Sequence, residues 1–180
     1  MRPNLPRVGG QVIEEWDIFI EKVKALNPTS YLEVGARDGI CLRYLVERIP
    51  SITRVGVVEW PEKEWGRHGS LKKLNDNLEA LEVHVDLYLG NSQDSVISDK
   101  VAKNTYDVIF IDADHSYIGI KTDYEIYAPL ANMMVAMHDI NHPPDSKAYG
   151  PTKLWIELGG TESIIAETSR TGIGVIRVRD

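Results

Sequence analysis

The sequence holds a single cysteine, Cys41, in 180 residues. That excludes an internal disulfide and any multi-cysteine metal site, and it suits a reducing compartment. Positive charge is also short: 27 Asp and Glu stand against 20 Lys and Arg, a formal net charge of −7. Non-specific nucleic-acid affinity rests on clustered cations, so no nucleic-acid partner is expected. No apolar run approaches the roughly 18 residues of a membrane span, and the opening MRPNLPRVGG lacks the apolar stretch of a secretion leader. The corresponding expectations are no membrane partner and a cytoplasmic location. Repeats, low-complexity tracts and Gly/Ser linkers are missing too. The length suits one domain over 1–180, since domains cluster near about 100–150 residues. What is present is ordinary globular usage, 43% hydrophobic and 26% charged, which excludes whole-chain disorder.

Short apolar runs alternate with longer amphipathic ones. Val12–Leu26 carries apolar residues at helical spacing and stops at Asn27-Pro28. Strand candidates follow at Tyr31–Val34, Arg54–Glu59, Glu82–Leu89, Tyr106–Ile111 and Met133–Met137. Helices are expected over about 40–49, 71–81, 116–130 and 152–158. Two last strands, Ser163–Thr168 and Gly172–Val178, are separated by a turn too short for a parallel crossover. The pattern predicts an α/β fold, a Rossmann-like doubly wound sheet, mostly parallel, with one antiparallel strand near its edge. In such sheets ligands bind beyond the carboxyl ends of the strands, where strand order reverses. Those ends carry Glu33–Gly39, Glu59-Trp60, Gly90–Ser92, Asp112–His115 and His138–Asn141.

The first of these, Glu33-Val34-Gly35-Ala36-Arg37-Asp38-Gly39, bends out of a strand into a helix. Its G-x-x-x-G spacing differs from the G-x-G-x-x-G of dinucleotide binders, which weakens the case for a pyrophosphate on the helix N-terminus. Glu33 and Asp38 would repel a phosphate and suit a cationic ligand; a plain turn with solvated carboxylates is the alternative. Glu59 ends the next strand at a spacing where an acid can accept both hydroxyls of a ribose. Trp60 beside it could cover an adenine face. Further on, Asp112, Asp114 and His115 crowd the end of the most apolar strand, and His138-Asp139 ends the adjacent one. Carboxylates buried there are costly unless paired or metal-bound. Asp112 and Asp139 side by side would raise one another's pKa unless a cation lay between them, and Mg²⁺ is the economical choice.

E-V-G-A-R-D-G followed by V-V-E resembles the first two motifs of class I S-adenosylmethionine-dependent methyltransferases. The resemblance implies their seven-stranded sheet, a cofactor loop of Glu33, Gly35, Ala36, Arg37, Asp38 and Gly39, and ribose binding by Glu59. It places Gly90-Asn91-Ser92 at the segment that contacts adenine. F-I-D-A-D-H-S-Y with M-H-D-I resembles the branch that methylates hydroxyl groups, including those of sugars. That branch implies Asp112 and Asp139 as metal ligands, His138 as a candidate third, and His115 as general base, with a small acceptor, glycosides among the candidates. A metal-free version, in which Asp112 contacts the cofactor amine, stays open. Ile140 stands where catechol-type relatives carry a ligating Asn, and Ala131-Asn132-Met133 replaces their Gly-Gly turn, with a left-handed Asn132 as the tolerated substitute.

Other candidates are open in both directions. Arg67-His68 and Lys72-Lys73 read as a lid or as a solvated helix face, and Tyr149 and Trp155 as an acceptor wall or as ordinary packing. With little chain outside the core, 29–180, the acceptor pocket must come from residues 60–75 and 141–152 or from a second subunit. The segment 1–28 is then a cover or a homodimer element. A nicotinamide-dependent oxidoreductase shares the Glu59 argument but leaves the Asp112/Asp139 pair unexplained. A non-catalytic nucleoside-binding protein of the same fold is the other alternative.

Overall fold

The computed structural model describes residues 6–60, 71–160, 162–167 and 169–178. It opens with a hairpin that sequence periodicity does not reveal: β1 (Arg7–Val8) pairs antiparallel with β2 (Gln11–Val12) across Gly9-Gly10. α1 (Ile13–Lys24), β3 (Ser30–Val34), α2 (Ile40–Val46), β4 (Arg54–Glu59), α3 (Leu71–Glu79) and β5 (His84–Leu89) form the first half. α4 (Ser95–Val101), β6 (Tyr106–Ile111), α5 (Tyr117–Tyr127), β7 (Ala131–His138), α6 (Tyr149–Glu157), β8 (Glu162–Ile164) and β9 (Ile173–Arg177) complete it. Seven strands lie in the order β5-β4-β3-β6-β7-β9-β8. All pairs from β5 to β7 are parallel, and β9 runs against both its neighbours. This is the expected doubly wound, mostly parallel α/β sheet with one reversed strand next to the edge.

The two faces bury separate cores. Leu32, Val34, Ile109 and Ile111 point to the side covered by α4, α5 and α6. Tyr31, Val57, Val108 and Phe110 point to the side covered by α1, α2 and α3. Because β3 and β6 are covered on both faces, they read as nearly unbroken apolar runs. Trp16 and Phe19 of α1 pack on Phe110, with ring centroids 4.9 and 5.2 Å away. The apolar stripe of α1 is thus buried on the sheet.

Several expectations need correcting. The last two strands are shorter than expected and are joined by residues 165–172, not by a tight turn; Thr168 lies outside the described residues. Buried Glu15 of α1 organises that connection, accepting from Ala166 N (3.0 Å), Thr171 Oγ1 (2.8 Å) and Gly172 N (3.3 Å). A carboxylate 150 residues away in sequence is invisible to a local reading. Asn132 is not left-handed; it lies within β7, and its amide donates to Asp107 Oδ1 at 3.2 Å. Trp155 is core, not acceptor wall: a Cβ on Gly160 or Gly174 would strike its rings at 2.3–2.7 Å. Helix α4, capped by Asp94 accepting from Val96 N, is too short for its apolar spacing to show in the sequence. Arg67 and His68 lie outside the described residues, and Lys72 is exposed and paired with Asp76 at 2.7 Å.

Candidate active site

The strand order reverses between β3 and β6, whose carboxyl ends are tied by Asp112 N donating to Val34 O at 2.8 Å. Gly35 N donates to Val58 O at 2.9 Å, so the ends of three adjacent strands are tied together. Gly35 (φ +92°) and Gly39 (φ +75°) take left-handed conformations, and between them Arg37 does so without being glycine (φ +52°). Arg37 is held there by its N–H, which donates to Glu59 Oε2; Glu59 Oε1 accepts from Trp60 N at 2.8 Å. The carboxylate expected to meet a ribose therefore also braces the loop.

These ends enclose a cavity of about 340 Å³, within the range of small-molecule sites. Glu33, the loop 35–38, Glu59-Trp60, Asn91-Ser92 and Asp112 line it, which brings together every expected cofactor residue except Gly39. Gly39 sits behind the turn, where a Cβ would meet Leu74 at 3.0 Å. Ser92 reaches the wall with its hydroxyl already donated to Asp123 at 2.7 Å. Burial pushes the Asp123 carboxyl up to about 6.

Burial, reinforced by the charge of Asp112, pushes Glu33 from its ordinary 4.5 up to about 8. The folded chain holds this proton more tightly than the unfolded one. Its stabilising contribution is thus full below about pH 4.5 and is lost as pH rises through 8. Glu33→Gln keeps an acceptor for the Tyr31 hydroxyl (3.1 Å in the wild type) and removes the titration. The variant is expected to gain on the wild type by a few kcal/mol between pH 5 and 9 in urea denaturation; parallel pH profiles would contradict this.

The second cluster lies beside the cavity. Asp112 Oδ1 is 3.3 Å from His115 Nε2 and 3.4 Å from His138 Nδ1. Asp139 Oδ2 is 3.0 Å from the same His115 nitrogen, and its Oδ1 is 3.2 Å from His138 Nδ1. Hydrogen bonds to Asp112 and Asp139 push His115 up to about 10. Burial raises Asp112, but the charge of His138 and the bond from His115 outweigh it and hold the carboxyl below its usual range. Burial likewise raises Asp139, but the bond from His115 and the charge of His138 outweigh it, so both carboxyls lie below their usual range while both imidazoles lie above theirs. The donor set fits a divalent cation: ligand atoms of Asp112, His138 and Asp139 all lie within 4.8 Å of one another.

Residues 32–140 match the family model described as "Methyltransferase domain". The chain belongs to this methyltransferase family. No curated protein matches the sequence. Among solved structures, a Staphylococcus aureus protein provisionally titled a caffeoyl-CoA O-methyltransferase superposes with a TM-score of 0.71 at 20% identity, over 97% of this chain and 86% of that one. An O-methyltransferase from Bacillus cereus in complex with S-adenosylhomocysteine gives 0.70 at 18%, over 98% and 85%. TomG from Streptomyces achromogenes, with S-adenosylmethionine, gives 0.66 at 15%, over 96% and 81%. The chain is thus a class I S-adenosylmethionine-dependent methyltransferase, and the nicotinamide alternative falls. No described helix is long and apolar enough to cross a membrane.

Two residues beside this cluster are not singled out by the sequence. His142 Nε2 lies 3.2 Å from Asp139 Oδ1, and Ser146 Oγ lies 3.2 Å from its Nδ1. The left-handed Asp139 (φ +62°) turns the chain so that this third-following residue comes back beside it. Gln11 of β2 donates through Nε2 to Asp112 Oδ2 at 2.6 Å. For Gln11 a signal existed: Gly-Gly between two β-compatible pairs is a hairpin turn.

Proposed function

We propose that this methyltransferase transfers a methyl group to a hydroxyl oxygen of a small acceptor, glycosidic in character, with Asp112 and Asp139 holding a divalent cation. The observation that carries this reading is the convergence of two ionised carboxylates from adjacent strand ends on one imidazole, that of His115. A fold has no need of such a group at the rim of a ligand cavity.

Glu59 would accept the ribose hydroxyls, and Trp60 and Asn91-Ser92 would flank the base. Asp38, Glu59 and Asp112 make the wall acidic, which suits a positively charged methyl donor. S-Adenosylmethionine supplies an electrophilic methyl on sulfonium, and a cation such as Mg²⁺, when bound, lowers the pKa of an acceptor hydroxyl. His115 would take the hydroxyl proton, which requires the neutral ring. It becomes neutral once the charge of Asp112 and Asp139 is met by a cation instead of by protons on the histidines. His138, buried behind both carboxylates, would ligate or orient them. Positioning the acceptor oxygen in line with the methyl group supplies much of the remaining barrier reduction.

The reading is tested by assaying hydroxylated glycosides with and without EDTA. Turnover lost on chelation and restored by divalent metal is expected, and full activity in EDTA would remove the metal from the account. The ribose assignment has a separate test: Glu59→Gln should weaken S-adenosylhomocysteine by about ten- to hundredfold, the scale of hydrogen bonds to a charged group. Unchanged affinity in calorimetry would show that Glu59 only braces the loop.

A further inference from the structure

The turn that follows β7 brings a further nitrogen donor to the Asp112–Asp139 pair. Asp139 takes a left-handed conformation (φ +62°), and the three residues after it point three ways. Ile140 is buried in the apolar core on the α4–α6 side of the sheet. Asn141 faces the connection before β9, its Nδ2 donating to Ser169 O at 2.8 Å. His142 returns to the carboxylates, with Nε2 3.2 Å from Asp139 Oδ1. Thr152 of α6 closes this turn, accepting from His142 N at 2.9 Å and donating to Asp139 O at 3.1 Å. His142 and Thr152 both lie outside the residues 32–140 that match the family model.

Ring nitrogens decide which histidine can hold a cation. His142 Nδ1 lies 3.2 Å from Ser146 Oγ, which also accepts from Ala148 N at 3.1 Å. With the ring proton on Nδ1 and donated to that oxygen, Nε2 directs its lone pair towards Asp139, the arrangement of a ligating histidine. His138 has the opposite surroundings. Its Nδ1 is shared between Asp112 Oδ1 and Asp139 Oδ1, while its buried Nε2 has no hydrogen-bond partner among the described residues. A cation on Nδ1 would force the ring proton onto Nε2, leaving a buried donor unpaired, which is costly. Proximity admits His138 as a ligand. Its proton is nevertheless better placed on Nδ1, where it orients both carboxylates.

We propose that His142, and not His138, joins Asp112 and Asp139 as the third protein ligand of the cation, and that its imidazole biases the site towards a later first-row metal such as Co²⁺ or Zn²⁺ over Mg²⁺. This rests on the reading of Asp112 and Asp139 as a divalent-cation site. Carboxylate oxygens and retained waters suit Mg²⁺, whereas an imidazole nitrogen suits the later first-row metals. Ser146 is a positioning residue: it fixes the tautomer and orientation of the His142 ring.

The test is calorimetric titration of Co²⁺ and of Mg²⁺ into the full chain after chelation and dialysis, with the visible absorption of bound Co²⁺ as a second readout. The wild type should bind one Co²⁺, more tightly than Mg²⁺. Any mixed oxygen and nitrogen site favours Co²⁺ to some degree, so the variants decide. His142→Asn, which exchanges the nitrogen for an amide oxygen, should lose about ten- to hundredfold in Co²⁺ affinity. Its Co²⁺ absorption should change, and its Mg²⁺ affinity should stay within about threefold of wild type. Ser146→Ala, which keeps the ring but removes its partner, should weaken Co²⁺ by about tenfold. Unchanged Co²⁺ affinity and absorption in His142→Asn, or equal losses for both metals, would overturn the proposal while leaving a two-carboxylate site in place. If the wild type binds neither metal, the divalent-cation reading itself fails, a result distinct from binding without a His142 ligand.

Discussion

Replacing Asp112 with asparagine is expected to lower methyl transfer by on the order of 10³-fold while leaving S-adenosylhomocysteine affinity within about threefold of wild type. The side chain lies where Gln11, His115 and His138 meet. Asparagine preserves its shape and can still accept from Gln11. What it removes is one of the two negative charges that hold His115 and would hold a cation. Loss of turnover without loss of binding is the signature of a group that acts on the acceptor side. Equal losses in both would instead make Asp112 a contact of the cofactor amine, and unchanged turnover would remove the cluster from the chemistry.

Gly35→Ala is expected to damage stability and binding together. At φ +92° an L side chain is strained, and the new Cβ would stand 2.4 Å from Asp112 O and 2.7 Å from Ala113 Cα. Both are backbone atoms, so no side-chain rotation relieves the clash. Left-handed strain of roughly 1–2 kcal/mol and overpacking of roughly 1–3 kcal/mol combine to several kcal/mol. For a chain of this length that lowers Tm by roughly 10 °C. Relief must come from parting the β3 and β6 ends, which would also disturb the spacing of Asp112 and Asp139. An unchanged Tm and unchanged affinity for S-adenosylhomocysteine would show that the junction is looser than the geometry indicates.

Strand ends were the most legible part of this sequence. β4 and β6 fall at Arg54–Glu59 and Tyr106–Ile111 as the apolar runs predicted, because a strand covered on both faces cannot hide its pattern. Each such run stops at an acid or a glycine, and those residues became the cavity wall. The short elements were lost for a different reason. Two-residue strands at Arg7–Val8 and Gln11–Val12 are too brief to show alternation, and the seven residues of Ser95–Val101 span only about two helical turns. Long-range polar contacts were out of reach altogether. Glu15 looks like a first-turn surface acid of α1, yet it is 1% exposed and anchors the connection before β9. His142 looked like loop composition, and only the backbone angle of Asp139 brings its ring to the carboxylate.

The cavity at the β3–β6 junction as a cofactor socket is the claim beneath all of these effects, and titration calorimetry of S-adenosylhomocysteine into the protein tests it most directly. One site per chain with affinity in the micromolar range is the predicted result. No heat from that ligand, together with thermal stabilisation by NAD, would contradict it.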